Sequence, residues 1–279
     1  MTEDTFFADL FGRLPAPAGD LAIPPGDDCA AVNWTEDTLL LLACDQLVGD
    51  RHYWLTGPAA TSPRQAGRKL LARNLSDIAA MGGTPRFCLV SLAFPPTAGS
   101  ERLNQYLDGI TALGQEFDCQ MIGGDLAAAP HDEIGSLTVV GWVGRSTVCR
   151  RRGARVGDIV CATGEFGDSL RDGHHLTFTP RCREGQWLAA TGVVHAMIDV
   201  SDGLVLDLSR ICRASGVGAQ LDCEAVPRRF AETTTAAVLT AGEDYELLFT
   251  VPAGARADLI AQWPFGDVPL TVIGRIVEG

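Results

Sequence analysis

Acidic residues set beside glycines recur from one end of this chain to the other. They stand in Gly26-Asp27-Asp28, Cys44-Asp45, Asn74-Leu75-Ser76-Asp77, Gly123-Gly124-Asp125, Asp199-Val200-Ser201-Asp202-Gly203, at Asp207, and in Gly242-Glu243-Asp244-Tyr245. Most sit where an apolar run stops, so strands and helices are expected to deliver them by their ends. A fold that gathers carboxylates from so many segments makes one site for several hard cations. Magnesium takes oxygen ligands, keeps part of its water shell and is shared with substrate phosphates. Glycines beside the acids let backbone N–H groups come close to an anion. The pattern points to a magnesium-nucleotide enzyme.

A chain of 279 residues has room for two domains, or one large one, around a real core. Its net charge of −13 argues against nucleic acid as the main partner, since a phosphate backbone calls for a basic face. The nine cysteines are scattered singly with no C-x-x-C, and several fall inside apolar runs such as Phe87-Cys88-Leu89. They read as small buried hydrophobes in a reducing compartment, not as a disulfide framework or a zinc site. The first residues are acidic and carry no secretory pattern, and no apolar run is long enough to cross a bilayer. The expected location is the cytoplasm, away from membranes.

Strands are expected over residues 38–44, 86–94, 119–122, 136–143, 158–163, 245–251 and 270–276, the first read as buried on both faces. Helices are expected over 63–81, stopping at Gly82-Gly83, over 100–117 with Ser100 as N-cap, and over 201–214. Residues 170–194 lack clear periodicity and read as a loop, while the basic, turn-rich stretch 145–157 marks a domain boundary. Two domains follow, 1–148 and 149–279. Strands and helices mix without strict alternation, which favours α+β over a doubly wound parallel sheet.

Asn74 and Asp77, three apart on a helix, share a face. They form either a solvated polar surface or a buried pair that something must satisfy. Asp45 at a strand end suits a ligand site or an ordinary turn alike, and Asp27-Asp28 after Pro24-Pro25-Gly26 could be nothing more than a turn. Before the helix at 201–214, Ser201 or Asp202 is the simplest N-cap. Alternatively Ser201 touches a phosphate there while Asp199 and Asp202 bind metal, because both roles use the same N–H groups. Gly164 to Ser169 looks like a phosphate loop but lacks the Gly-Lys-Ser/Thr ending. The histidines show no metal-type spacing, and only His52, close after Asp45, invites a functional role. No triad for covalent catalysis is visible.

In their order and detail these stretches resemble the thiamine-monophosphate kinases, within the aminoimidazole-ribonucleotide synthetase superfamily. The matching runs are Gly26-Asp27-Asp28-Cys29-Ala30, Asp45-Gln46-Leu47-Val48 with His52-Tyr53, Asn74 to Gly82, Gly123-Gly124-Asp125, Arg151-Arg152-Gly153-Ala154, Met197 to Leu204, and Gly242 to Leu248. The resemblance implies a two-domain α+β fold, with N-terminal sheets pairing in a homodimer and a C-terminal α/β sandwich. It implies transfer of the γ-phosphoryl of ATP to the phosphate of thiamine monophosphate, without a covalent enzyme intermediate. Asp28, Asp45, Asp77, Asp125 and Asp199 would bind magnesium, with Asp202 on a further ion. Ala43 and Cys44 stand where relatives often carry threonines, so only backbone carbonyls could ligate there. Gly124, Asp125, Arg151 and Ser201 would hold ATP near the dimer interface, and His52, Glu243 and Asp244 the thiamine phosphate. A family tyrosine near the nucleotide aligns with Leu107, beside Tyr106. Residues 170–194 and 223–240 look short, and the sequence stops at Gly279, before a stretch whose aromatic residue stacks on substrate in relatives. The alternatives are a ring-closing enzyme like aminoimidazole-ribonucleotide synthetase, or a nucleotide-binding homologue without catalysis.

Overall fold

One helix organises the molecule. α2 (Pro63–Ala80) opens on a capping box, with the Ser62 hydroxyl accepting from the Gln65 N–H, the Gln65 side chain reaching back, and Pro63 in the first turn. It ends where expected, at Met81 followed by Gly82 in the left-handed region. Leu70, Leu71, Leu75, Ile78 and Ala79 are all buried, because α2 is enclosed on every side. The computed structural model, which describes residues 3–13 and 19–279, places a six-stranded sheet on one side of it and the second half of the chain on the other.

That first sheet runs in the order β1 (Leu21–Ile23), β2 (Ala30–Asn33), β3 (Thr38–Val48), β6 (Ile134–Gly144), β4 (Thr84–Phe94), β5 (Gln120–Ala128). Only β4 and β5 are parallel, joined through α3 (Gly99–Glu116). The backbones of α2 and α3 nearly touch: a Cβ built on Gly67 would lie 1.9 Å from the Tyr106 carbonyl oxygen, and one on Gly109 would lie 2.0 Å from that of Arg64. A short helix, α1 (Glu3–Arg13), precedes the sheet.

The second sheet is antiparallel throughout, in the order β8 (Ala196–Asp199), β10 (Leu247–Pro252), β7 (Asp158–Thr163), β11 (Leu270–Val277), β9 (Gly218–Leu221). One face packs on α6 (Leu204–Ser215) and α7 (Thr235–Thr240) through Val160, Ile198, Leu204, Leu208 and Val238. The other joins α2 and α5 (Cys182–Thr191) in a core that runs from Ile23 to Leu259 without a break. α4 (His174–Thr177) and α8 (Arg256–Gln262) are the remaining α-helices of the described residues. The two sheets and their helices make the expected α+β fold.

Several boundaries differ from the sequence reading, for physical reasons. β3 does not stop at Cys44, since its ladder with β6 carries on from Asp45↔Leu137 to Val48↔Ile134. Its alternating burial shows one covered face, not two. β5 likewise continues past Ile122, so Gly123, Gly124 and Asp125 lie inside a strand instead of after one. α3 begins at Gly99, which leaves Ser100 in the first turn and not at the cap. The stretch 170–194 contains α4 and α5. The nine cysteines are unpaired and six are buried, but Cys44 is exposed. Among the described residues no helix is long and apolar enough to cross a membrane.

Candidate active site

Three distant segments bring carboxylates together. Asp28 follows β1, Asp77 sits in the last turns of α2, and Asp199 ends β8; each offers an oxygen within 4.8 Å of the others. Asp199 Oδ2 accepts from the Ser76 hydroxyl at 2.6 Å, and Asp28 Oδ1 accepts from Arg151 Nη2 at 2.8 Å and Nε at 3.2 Å. The second oxygen of Asp28 is buried with no hydrogen-bond partner. Burial first, and then neighbouring carboxylates, Asp45 on Asp77 and Asp28 on Asp199, push the two carboxyls well above the ordinary carboxylate range. Beside them Asp27, raised to about 6 by burial and by Asp28, accepts the Arg151 N–H. Carboxylates crowded out of water stay ionised only with positive charge among them. An all-oxygen set with a buried unpartnered oxygen fits a hard cation such as magnesium.

Asp45 lies one turn of α2 away. Its N–H donates to Asn74 Oδ1 at 3.1 Å, while Asn74 Nδ2 donates to the Leu70 carbonyl at 2.8 Å. The buried Asn74 is thus satisfied by backbone and pins β3 to α2. The Asp45 carboxyl is raised by burial, with Arg73 opposing the shift, and faces the same cleft as the triad. That cleft, about 610 Å³, is lined by Asp27, Asp28, Asp45, Asp77, Asp202 and Ser201, and by Arg73, Arg151, Arg210 and Arg213. Ala43, Cys44, Phe7 and Phe11 complete its walls. A mixed lining of this kind suits polyanions carried with their cations.

The turn before α6 resolves the capping alternatives against both candidates. The N-cap is Gly203, with φ 124°, and the donors ahead of it are taken from inside the helix: Asp207 Oδ2 accepts from the N–H of Asp202 at 3.0 Å and of Gly203 at 3.1 Å. Burial raises Asp207 to about 6, opposed by Arg210. Ser201 and Asp202 are therefore released toward the cleft, where Asp202 pairs with Arg210 at 2.7 Å.

His52 and Glu243 meet through a residue the sequence reading passed over. Lys69, wholly buried on α2, donates to the His52 carbonyl at 2.8 Å and pairs with the Glu243 carboxylate. His52 Nδ1 accepts from the Val48 N–H at 3.0 Å, so the proton of the neutral ring sits on Nε2, and burial, with the Arg73 charge behind it, lowers the ring's pKa. Glu243 and Tyr245 both have positive φ, at 60° and 52°, and hold this strained turn by N–H bonds to the Ser201 and Val200 carbonyls, each 2.8 Å. The signal for Lys69 was its spacing: Lys69, Arg73 and Asp77 recur every four residues along one face of a helix.

Three expected site residues do not join the cluster. Asp244 turns inward, where Oδ1 accepts from the Gly167 N–H at 3.0 Å and faces Arg229 at 3.7 Å, both within the second half of the chain. Gly124 and Asp125 lie on β5 at the sheet edge, three strands from β3, or about 14 Å. The register Asp45↔Leu137↔Val90↔Gly124 puts Gly124 level with Asp45, whereas Asp125, in line with Ser91, Ser136 and Gln46, faces the opposite side of the sheet. Within one chain Asp125 is therefore remote from the triad. Tyr106 is also turned into the core, edge-on to Phe94 at 5.2 Å.

Residues 26–145 match the N-terminal domain of AIR synthase related proteins, and residues 159–279 match their C-terminal domain. Over 293 residues the chain is 36% identical to the thiamine-monophosphate kinase of Rhodopirellula baltica, covering 99% of this chain and 89% of that one. It belongs to the thiamine-monophosphate kinase family. Among solved structures, the family's enzyme from Stenotrophomonas maltophilia K279a superposes with a TM-score of 0.77 at 32% identity, covering 99% of this chain and 93% of the other. The structure of AaThiL complexed with AMPPCP and TMP superposes with a TM-score of 0.84 at 27% identity, covering 99% and 91%.

Proposed function

We propose that the protein uses magnesium-bound ATP to phosphorylate thiamine monophosphate, giving thiamine diphosphate and ADP. The observation that carries this reading is the convergence of Asp28, Asp77 and Asp199 in one cleft, in a member of a kinase family. Asp28, Asp45, Asp77 and Asp199 would hold magnesium, with Asp202 on a further ion and the Ala43 and Cys44 carbonyls within the same wall. Bound there, magnesium supplies neutralisation of phosphate charge. Arg151 and Ser201 hold the nucleotide phosphates, and His52, through Nε2–H, and Glu243 orient the acceptor.

A phosphate oxygen of thiamine monophosphate attacks the γ-phosphorus in line, and ADP leaves with the electrons of the broken P–O bond. The attacking phosphate is already ionised near neutral pH, its second pKa being about 6, so no strong base is required. The protein's own contribution is to bring two polyanions together and keep them aligned.

In this reading residues 1–148 carry the metal site and residues 149–279 complete it, in a cytoplasmic enzyme. A second copy sits on the outer face and edge of the first sheet, where Leu89, Ile122 and Leu126 are exposed. A homodimer of this kind gives Gly124 and Asp125 a place at an interface, near a nucleotide shared between copies.

The test follows ADP and thiamine diphosphate by chromatography, with and without thiamine monophosphate and magnesium. One diphosphate per ADP, lost on chelation and in Asp77→Asn, is the expected result. ADP without diphosphate, or full activity in Asp77→Asn, would refute it.

A further inference from the structure

We propose that Arg73 is a phosphate-binding residue at the acceptor end of the cleft, taking the phosphate that receives the transferred group. The inference rests on the kinase reading above and adds to it a side chain from the middle of α2. Lys69, Arg73 and Asp77 follow one another at steps of four residues, about 6 Å along the helix each. Both ends of this row are engaged. Lys69 ties together His52 and Glu243, and Asp77 belongs to the carboxylate triad. The acceptor phosphate must lie between the groups that orient it and the groups that hold the metal, and Arg73 occupies that interval.

Its own bonding leaves it in need of an anion. Nη2 reaches Asp45 Oδ1 only at 3.4 Å and Nη1 reaches the Gln46 carbonyl at 3.3 Å. Nε is buried with no hydrogen-bond partner, although the guanidinium lines the cleft. A guanidinium carries five donors in a planar fork matched to phosphate oxygens. A charged group this far out of water is costly while its donors go unused. The neighbouring arginines are differently placed: Arg151 sets two donors on Asp28, and Arg210 bridges Asp202 and Asp207. Charge supports the same assignment. The Asp45 and Asp77 carboxylates repel an incoming phosphate, and Arg73 offsets the nearer of them directly.

The test compares wild type, Arg73→Met and Arg73→Lys as full chains. KM and kcat are measured with thiamine monophosphate and ATP varied in turn, with AMPPCP affinity by calorimetry in magnesium, and Tm. The expected result in Arg73→Met is a KM for thiamine monophosphate raised by ~10-fold or more, partly restored in Arg73→Lys, with AMPPCP affinity within ~3-fold and Tm held. Unchanged kinetics with thiamine monophosphate would overturn the assignment, as would AMPPCP affinity falling in step. If Arg73→Met unfolds early, Arg73→Lys alone decides: a fork replaced by a point charge must still raise that KM. If wild type makes no thiamine diphosphate, the kinase reading fails instead. Calorimetry with inorganic phosphate then judges Arg73 separately, and equal affinity in wild type and Arg73→Lys overturns it.

Discussion

A single carboxyl group shows how burial sets chemistry in this protein. Asp244 is pushed up to about 7, by burial first, against the Gly167 N–H and Arg229, which act to lower it. The unfolded chain releases that proton near the ordinary aspartate value of 3.8, so between the two values the folded state binds more protons. Stability from this group is thus complete in acid and is lost as pH rises through about 7. Asp244→Asn keeps an acceptor for Gly167 and cannot titrate. Between about pH 5 and about pH 8, the Tm of wild type should fall more than that of the variant, and parallel curves would refute this. The aspartates of the cleft were legible in the sequence because acids beside glycine stand out. Lys69 and Arg73 were not, since a basic residue in an apolar helix normally carries its charge out to water. Only the packing of the second half over α2 shows that theirs do not escape. Asp244 parts from Glu243 for a backbone reason: it adjoins Glu243, yet positive φ on both sides turns it the other way.

Elements follow the same division between local and tertiary signals. α2 was readable to within a residue because its cap, its apolar spacing and its terminal glycines agree. α5 was not, because its ten residues are held by docking on α2: a Cβ on Gly185 would come within 2.2 Å of the Ala79 carbonyl oxygen. β5 ran on past its apolar residues because β4 supplies a parallel ladder as far as Ala128. Close backbone approach also makes a prediction for the α2–α3 pair. Gly67→Ala places a methyl group where the Tyr106 carbonyl stands, an overpacking cost of about 1–3 kcal/mol. At about 2–4 °C per kcal/mol, scanning calorimetry should find Tm lower by several degrees. Gly254→Ala, with nothing within 4 Å of its Cβ, should unfold with wild type. Equal Tm values for the two variants would mean that the helices can separate without cost.

For the whole molecule, the exposed edge of the first sheet is where the proposed second copy would pair. Leu126 on β5 is 60% exposed and Ile122 is 54% exposed, in a strand whose outer edge pairs with no other strand among the described residues. Sedimentation should find wild type as a pair of chains, and Leu126→Glu should shift it toward one. A variant that sediments as wild type does would place the contact elsewhere.

The enclosure of α2 has a further consequence, one of time. A chain leaves the ribosome from its N-terminus, and its first domain generally folds before the rest has appeared. The first sheet is complete once Gly144 has been made, but Cys182 to Asp199, which supply the helix and strand that cover the far side of α2, come later. For that interval the growing protein carries its most fully enclosed helix open on one side. Its acid pair, Asp28 and Asp77, waits for a third member still inside the exit tunnel. The nascent chain is at once sticky and chemically inert, and both conditions end when β8 closes over α2.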